Sequence, residues 1–153
     1  MKKIGIINGP NLNLTGSREP EVYGHTGFEE LMARLRKLYP EIVFHYFQSN
    51  IEGEIIDCIH QWAAEMDAMV LNAGAYTHTS IAIGDAVRAI SLPVIEVHLS
   101  NVFAREAFRQ LSHIAPAAAG TITGLGMDSY VLAVYYLACV MDQSAGCGEQ
   151  FKP

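Results

Sequence analysis

Two ionisable residues stand in an otherwise apolar segment of the 153-residue chain. Glu96 and His98 alternate with Val94, Ile95 and Val97, a composition typical of a strand that is buried on both faces. Because side chains two residues apart project from the same face of a strand, we expect Glu96 and His98 to share a face. A buried carboxylate that orients an imidazole and raises its basicity prepares it to act as a general acid. The alternative interpretation is a structural ion pair in the core.

Polar residues also follow the ends of the predicted strands. A single Asn in such a place is more often a turn residue or a helix cap than a catalytic group. In an open parallel sheet, however, ligands bind beyond the carboxyl ends of the strands, where all these segments meet. Their convergence favours a binding site built from Asn8, Gly9, Pro10 and Asn11; Gln48, Ser49 and Asn50; Asn72, Gly74, Tyr76 and His78; and His98, Ser100 and Asn101.

Cationic side chains and a long loop border the same region. Arg105 and Arg109 are four residues apart, which predicts one helical face that binds an anionic substrate or is simply solvated. The segment of about residues 9–27 exceeds the roughly 2–6 residues of an ordinary strand-to-helix connection. It contains Arg18 and Tyr23, and its composition is typical of a mobile lid, the alternative being a disordered insertion.

Several other chemistries lack the residues that they need. The remaining histidines are scattered without a second ligand at metal-binding spacing, so no metal site is predicted. The glycines do not form a dinucleotide or phosphate-binding motif. None of the four lysines, which are Lys2, Lys3, Lys37 and Lys152, falls in the predicted crevice, which excludes a Schiff base. Proton transfer without a cofactor remains.

The hydrophobic pattern predicts the elements that position these residues. β-branched runs suggest five strands at residues 4–7, 42–47, 69–71, 94–97 and 120–123. Between them, apolar residues recur with the helical period over 28–38, 55–66 and 83–90, and residues 130–141 are apolar nearly all round. Such alternation predicts an α/β fold, namely a three-layer flavodoxin-like domain with a five-stranded parallel sheet.

Composition limits the class of protein further. The formal charge of −6 disfavours nucleic acid as a partner. Three cysteines without a C-x-x-C pair indicate a reducing compartment. No apolar run approaches the roughly 20 residues that cross a bilayer, and the first run stops at Asn8, too soon for a signal peptide. We therefore expect one cytoplasmic domain over residues 1–153, with a flexible tail at 143–153 and no membrane partner.

Five motifs follow one another over nearly the whole chain. They read INGPNLNLTGSREPEVYG, QSNIEGEIID, LNAGAYTHTSIAIGDA, VIEVHLSNVFARE and AAGTITGLG. In this order and spacing they closely resemble type II 3-dehydroquinate dehydratase. The resemblance implies reversible loss of water from 3-dehydroquinate through an enolate, giving 3-dehydroshikimate in the shikimate pathway, without a cofactor or a metal.

The resemblance also implies roles for residues of this chain. Tyr23 would remove a proton next to the ketone, and Arg18 would help it ionise. Asn11 would hold a water against the enolate oxygen, while His98, oriented by Glu96, would protonate the departing hydroxyl.

An unperturbed tyrosine pKa of about 10 must fall by about three units, or ~4 kcal/mol, for a tyrosinate base near neutrality. Two arginines in a poorly solvated site can supply that shift, whereas one exposed arginine cannot.

Substrate binding and assembly follow from the same resemblance. The binding residues would be Asn72, His78, Asp85, the backbone of Leu99, Ser100, Arg105 and Arg109. Of these, Asp85 would reach the site of a neighbouring subunit and Arg105 would lie near the tyrosine. The resemblance implies a homododecamer built as a tetramer of trimers. A non-catalytic carboxylate-binding module is the alternative, but it has no use for Tyr23 on a lid or for Glu96 behind His98.

Overall fold

Five strands and four α-helices alternate in the part of the chain that the structure describes. The structure, a computed structural model, describes residues 1–15 and 27–143. The strands are β1 (Lys2–Asn8), β2 (Ile42–Gln48), β3 (Ala68–Asn72), β4 (Val94–His98) and β5 (Gly120–Thr123). The helices are α1 (Phe28–Leu38), α2 (Glu52–Trp62), α3 (Ile81–Arg88) and α4 (Asp128–Gln143). Short 3-10 turns occupy Leu12–Leu14, Gly74–His78, Val102–Ala104 and Ala107–Gln110.

All five strands lie in one parallel sheet, in the order β2-β1-β3-β4-β5. The predicted strands and the flavodoxin-like fold class are confirmed, with four of the strands starting or ending one or two residues beyond the predicted bounds. Because the order changes direction at β1, the crevice for a ligand is expected beside the carboxyl ends of β1 and β3. The register places Asn8 of β1 directly beside Asn72 of β3 at that edge.

Apolar cores cover both faces of the sheet. On one face, α1 and α4 bury Leu35 and Leu137 against Ile4 and Ile6 of β1. On the other, α2 and α3 bury side chains such as Ile55 against the sheet. Each fully buried aliphatic side chain of this size contributes about 1.5–3 kcal/mol of transfer free energy. The three-layer arrangement thus follows from helices whose apolar stripes need a sheet face.

Helix α4 is buried on one side only. Tyr130, Val134 and Leu137 are fully buried, but Tyr135 is 60% exposed and Leu132 is 43% exposed in the single chain. The apolar sequence of α4 therefore has two parts, a core stripe and an apolar face outside the core. The second part is the surface for which contacts between subunits are predicted.

Close backbone packing joins the ends of β1 and β3. The backbone N–H of Gly9 donates to the carbonyl of Asn72 at 2.7 Å. A Cβ at Gly9 would lie 2.4 Å from the carbonyl oxygen of Ala73, and Gly74 has φ +58°. Only glycine fits both positions without strain. This contact fixes where the residues after β1 and β3 lie.

Two predicted segments are only partly described. The predicted lid of about residues 9–27 is described at 9–15 and at 27, so Arg18 and Tyr23 lie outside the described residues. The predicted flexible tail lies outside them after residue 143. Within the described ranges, no helix is long and apolar enough to span a membrane.

The thiol of Cys58 gives a test of the core around α2. Burial, with a smaller effect of Glu65, raises the pKa of this thiol to about 12. Because the thiolate is the reactive form, we expect Cys58 to stay unlabelled by iodoacetamide in the native protein at pH 8. Mass spectrometry after unfolding in urea should show it labelled. Equal labelling of Cys58 in the native and unfolded protein would contradict the packing of this helix.

Candidate active site

A cavity of about 260 Å³ opens at the carboxyl ends of β1, β3 and β4. Its position agrees with the crevice expected where the strand order changes direction. Its wall combines amide, imidazole, hydroxyl and guanidinium groups with a few apolar residues. The predicted site residues that line it are Asn11, Asn72, His78, His98, Leu99, Ser100, Arg105 and Arg109.

The floor of the cavity holds the carboxylate and imidazole pair that the strand pattern predicts. His98 Nε2 lies 2.9 Å from Glu96 Oε1, on the same face of β4. Glu96 is fully buried and His98 is 7% exposed. Glu96 does not line the cavity, so it contacts the imidazole from behind. The hydrogen bond to the carboxylate holds one ring nitrogen of His98 in place. The orientation of the imidazole ring, and hence the direction in which it can exchange a proton, is therefore restricted.

Two hydroxyl groups complete the surroundings of Glu96. Ser112 Oγ donates to Glu96 Oε1 at 2.8 Å, and Thr121 Oγ1 donates to Oε2 at 3.1 Å. Sequence reasoning missed both residues. Thr121 pairs with Glu96 in the register of β4 and β5, so the strand order would have revealed it. Ser112 lies outside the strands, and no sequence signal marks it.

A second histidine stands beside the first. The rings of His78 and His98 are stacked, with centroids 6.1 Å apart. Nδ1 of His78 lies 2.7 Å from the carbonyl oxygen of Leu111. Since a carbonyl oxygen only accepts hydrogen bonds, Nδ1 carries a proton, and Nε2 is the acceptor when the ring is neutral. His78 is thus a ring of defined tautomer at the cavity wall.

A buried tyrosine holds the amides at the ends of β1 and β3. Tyr130 OH donates to Asn8 Oδ1 at 2.7 Å and accepts from Asn72 Nδ2 at 2.8 Å. Asn72 Oδ1 also accepts the backbone N–H of Gly74 at 3.1 Å. Burial raises the pKa of Tyr130 well above its ordinary value, so this hydroxyl stays protonated. Its role is to orient Asn72, and sequence reasoning missed it because α4 reads only as apolar.

The rim residue Asn11 adopts a rare backbone conformation. Its φ is 67°, and its backbone N–H donates to Asn50 Oδ1 at 2.9 Å. Gln48 Nε2 supports the same corner, donating to Asn50 Oδ1 and to the carbonyl of Gly9, each at 3.2 Å. Polar side chains at the carboxyl end of β2 and just after it therefore hold residues 9–11 at the cavity. Thr15, the last described residue before Arg18 and Tyr23 in the sequence, also lines the cavity.

The two arginines reach the cavity by a different route from the one predicted. The prediction of a shared helical face is wrong, because Arg105 has extended backbone between two separate 3-10 turns. Asn101 Oδ1 accepts the N–H of Phe103 at 3.1 Å and starts a single short turn there. Arg109 Nε donates to Glu106 at 2.9 Å, and Arg105 Nε lies 3.7 Å from the same carboxylate oxygen. A shared glutamate, not a helix, holds the pair together.

Glu106 stays ionised between these arginines. A hydrogen bond from its own backbone N–H, followed by the one from Arg109, lowers the pKa of the Glu106 carboxyl. Arg105 also lies within 3.5 Å of Ser100 Oγ. Both guanidinium groups line the cavity, so this wall is cationic and suits an anion.

Asp85 is not part of the cavity formed by one chain. It lies on α3, its side chain is 65% exposed, and it pairs with Arg88 at 2.6 Å. The prediction that it serves a neighbouring subunit stays a prediction.

Among residues 1–15 and 27–143, no three His, Cys, Asp or Glu side chains cluster as a metal site would require.

The fold and cavity define a flavodoxin-like α/β protein with a buried carboxylate–imidazole pair and a cationic wall at the carboxyl edge of its sheet. The family model for Dehydroquinase class II matches residues 2–138. The chain belongs to the class II dehydroquinase family.

Relatives and solved structures resemble the chain over nearly its full length. The 3-dehydroquinate dehydratase of Caldicellulosiruptor bescii is 50% identical over 145 residues, covering 93% of this chain and 100% of the relative. The structure of a type II dehydroquinase from Butyrivibrio crossotus is 42% identical with a TM-score of 0.85, covering 90% of this chain and 97% of that one. The type II dehydroquinase from Propionibacterium acnes is 41% identical with a TM-score of 0.86, covering 91% and 97%.

The hydroxyl of Tyr130 can be tested by Tyr130→Phe, which keeps the ring in the core. Two buried amides then lose a partner, so we expect the free energy of unfolding to fall by about 1–3 kcal/mol. Urea denaturation at a fixed protomer concentration measures it. Tyr39→Phe removes a hydroxyl at the carboxyl end of α1, outside this network, and should change stability by less than about 0.5 kcal/mol. Equal losses in the two variants would refute the proposed network.

Proposed function

We propose that the chain is a hydro-lyase that reversibly dehydrates 3-dehydroquinate to 3-dehydroshikimate, in the shikimate pathway of aromatic amino-acid biosynthesis. The observation that carries this proposal is the hydrogen bond between Glu96 and His98 at the floor of a cavity with a cationic wall. Membership of the class II dehydroquinase family supports it. The substrate is a small carboxylate with hydroxyl groups, which matches the arginines, amides and imidazoles of the lining.

The acid half of the reaction belongs to His98. Elimination of water requires one proton to leave the carbon next to the ketone and another to reach the departing hydroxyl. His98, oriented by Glu96, supplies the second proton, so that the C–O bond of the enolate intermediate breaks and water leaves. Positioned proton transfer of this kind contributes roughly 10²–10⁴-fold to the rate. Neither transfer calls for a metal or another cofactor.

The base half belongs to Tyr23 on the long loop. It removes the proton next to the ketone as a tyrosinate, and Arg18 favours its ionised form. Arg105 and Arg109 support the assignment because they place positive charge on the cavity wall. In a closed site with little water, such charges act through a low effective dielectric and are strong enough to favour tyrosinate.

The remaining side chains of the cavity bind the substrate and the intermediate. Asn11 holds a water against the enolate oxygen, on the rim where its backbone is fixed by Asn50. The hydroxyls and the carboxylate of the substrate are held by Asn72, His78, the backbone of Leu99, Ser100 and Arg109. In this proposal Arg105 is the cavity arginine that acts on Tyr23. Preorganised donors of this kind reduce the reorganisation that the reaction needs.

We further propose a cytoplasmic homododecamer, arranged as a tetramer of trimers. The exposed apolar face of α4, with Leu132 and Tyr135, supports burial between subunits, because monomers rarely leave extended apolar patches in water. Asp85 then contributes to the site of the neighbouring subunit. Neither nucleic acid nor membrane is a partner in this proposal.

The base assignment is tested by Tyr23→Phe, which removes the hydroxyl and keeps the ring. We expect kcat to fall by at least about 10²-fold with little change in stability. The assay mixes purified protein with 3-dehydroquinate, without metal or nucleotide, and follows the ultraviolet absorbance of the conjugated product. Tyr39→Phe, at the carboxyl end of α1, is the matched control and should keep the turnover of the natural protein. Near-normal turnover of Tyr23→Phe would contradict the assignment of Tyr23 as the base.

The role of Asp85 is tested by Asp85→Ala. If Asp85 crosses a trimer interface, the variant should lose activity and trimer stability together, because polar partners lose their contact in a desolvated interface. Its pair with Arg88 inside one helix is worth only about 0.2–0.5 kcal/mol and cannot account for such a loss. Activity assays and light scattering measure the two effects, with Asp57→Ala, on the exposed face of α2, as the control. A fully active monomer would show that the site is complete in one chain.

A further inference from the structure

We propose that Ser112 and Thr121 are positioning residues for the general acid, acting on His98 through the carboxylate of Glu96. This inference rests on the proposed function, in which His98 protonates the leaving hydroxyl. The two hydroxyls and His98 together give Glu96 three hydrogen-bond partners, two on Oε1 and one on Oε2. With partners on both oxygens, the carboxylate has one favoured plane, and the imidazole that it holds has one favoured orientation.

The hydroxyl of Ser112 is an oriented donor. Its oxygen accepts the backbone N–H groups of Ile114 and Ala115, at 3.0 and 2.9 Å. A serine hydroxyl has a single proton, and with both backbone groups donating, that proton is directed to Glu96 at 2.8 Å. The segment before β5 thus aims one O–H at the buried carboxylate.

The hydroxyl of Thr121 approaches from the neighbouring strand. Its position opposite Glu96 is set by the parallel register of β4 and β5. Its hydrogen bond, at 3.1 Å, is longer than that of Ser112, and Thr121 is exposed in the single chain. We therefore expect Ser112 to have the larger effect of the two.

A second cavity shows which groups surround this hydroxyl pair. It has a volume of about 420 Å³ and lies on the other side of the Glu96 and His98 pair. Ser112 and Thr121 line it, and the other titratable or charged side chains in its wall are His78, Glu96, His98 and Arg109. No carboxylate other than Glu96 lines it within the described part of the chain. On the side of this second cavity, the hydroxyls of Ser112 and Thr121 are therefore uncharged donors to Glu96.

The donors affect both the geometry and the acidity of the pair. Hydrogen bonds to a carboxylate stabilise its negative charge and so reduce its attraction for the proton of its other partner. With both hydroxyls present, Glu96 orients His98 without holding its proton too tightly. Loss of a hydroxyl should make the pair hold the proton more strongly and orient the ring less well. Both changes act on the chemical step and leave the substrate contacts intact.

The test compares Thr121→Val, which replaces only the hydroxyl by a methyl group, with Ser112→Ala. We expect kcat to fall by about tenfold in Ser112→Ala and by less in Thr121→Val, with KM nearly unchanged. The alkaline limb of the kcat profile, where the acid loses its proton, should move to higher pH in both variants. Ser112→Thr and Thr121→Ser keep a hydroxyl and should restore both kcat and the profile.

The control is Thr77→Val. Thr77 lines the same second cavity, is fully buried, and its hydroxyl has no hydrogen-bond partner in the part of the chain that the structure describes. Its loss should leave kcat and the pH profile unchanged. Because Ser112 also binds two backbone N–H groups, Ser112→Ala could fail to fold, and Thr121→Val alone then decides the matter.

An unmoved pH profile and normal kcat in folded Thr121→Val and Ser112→Ala would overturn this inference. So would a loss that the conservative variants do not restore. Failure of the proposed function has a different signature, since the natural protein itself would not turn over 3-dehydroquinate. The two failures are therefore distinguishable in the same assay.

Discussion

The burial of the Glu96 carboxylate is the constraint on which the site depends. Removing a carboxylate from water costs several kcal/mol unless other groups supply hydrogen bonds or charge. In this protein a strand that is apolar on both faces places Glu96 out of contact with solvent. The compensation comes from His98, Ser112 and Thr121, which lie on β4, before β5 and on β5. Three parts of the chain must therefore be in place before the imidazole is oriented.

The same constraint explains which features of the site the sequence reveals. The pairing of Glu96 with His98 follows from the two-residue period of a strand, and the strands follow from apolar runs, so both were predictable. The ends of β1 and β3 were also predictable as a site, because parallel strands end at one edge. The strand period and the apolar runs are local sequence patterns, and the shared edge of the strands follows directly from them.

Other features depend on contacts between distant segments, and no local pattern encodes them. Ser112 reaches Glu96 only because the segment after Arg109 folds back beside β4. Tyr130 looks like one more core residue of an apolar helix until its hydroxyl is found between two amides. The four-residue spacing of the arginines predicted a helix, but an Asn side chain and a shared glutamate produce two short turns instead. Side-chain hydrogen bonds to the backbone overrode the periodicity there.

The proposed mechanism divides the two proton transfers between parts of the chain with different constraints. The proposed acid, His98, lies on the interior strand β4, where buried partners fix it before substrate arrives, so its orientation costs little at the moment of reaction. The proposed base, Tyr23, lies outside the described residues, and in the proposal its ionisation depends on nearby positive charge. Glu106 balances one of the two positive charges of Arg105 and Arg109, which leaves that wall with a net charge of about +1 at neutral pH. That charge favours a bound carboxylate, an enolate and a tyrosinate alike, so one cationic wall can serve binding and both steps of the elimination.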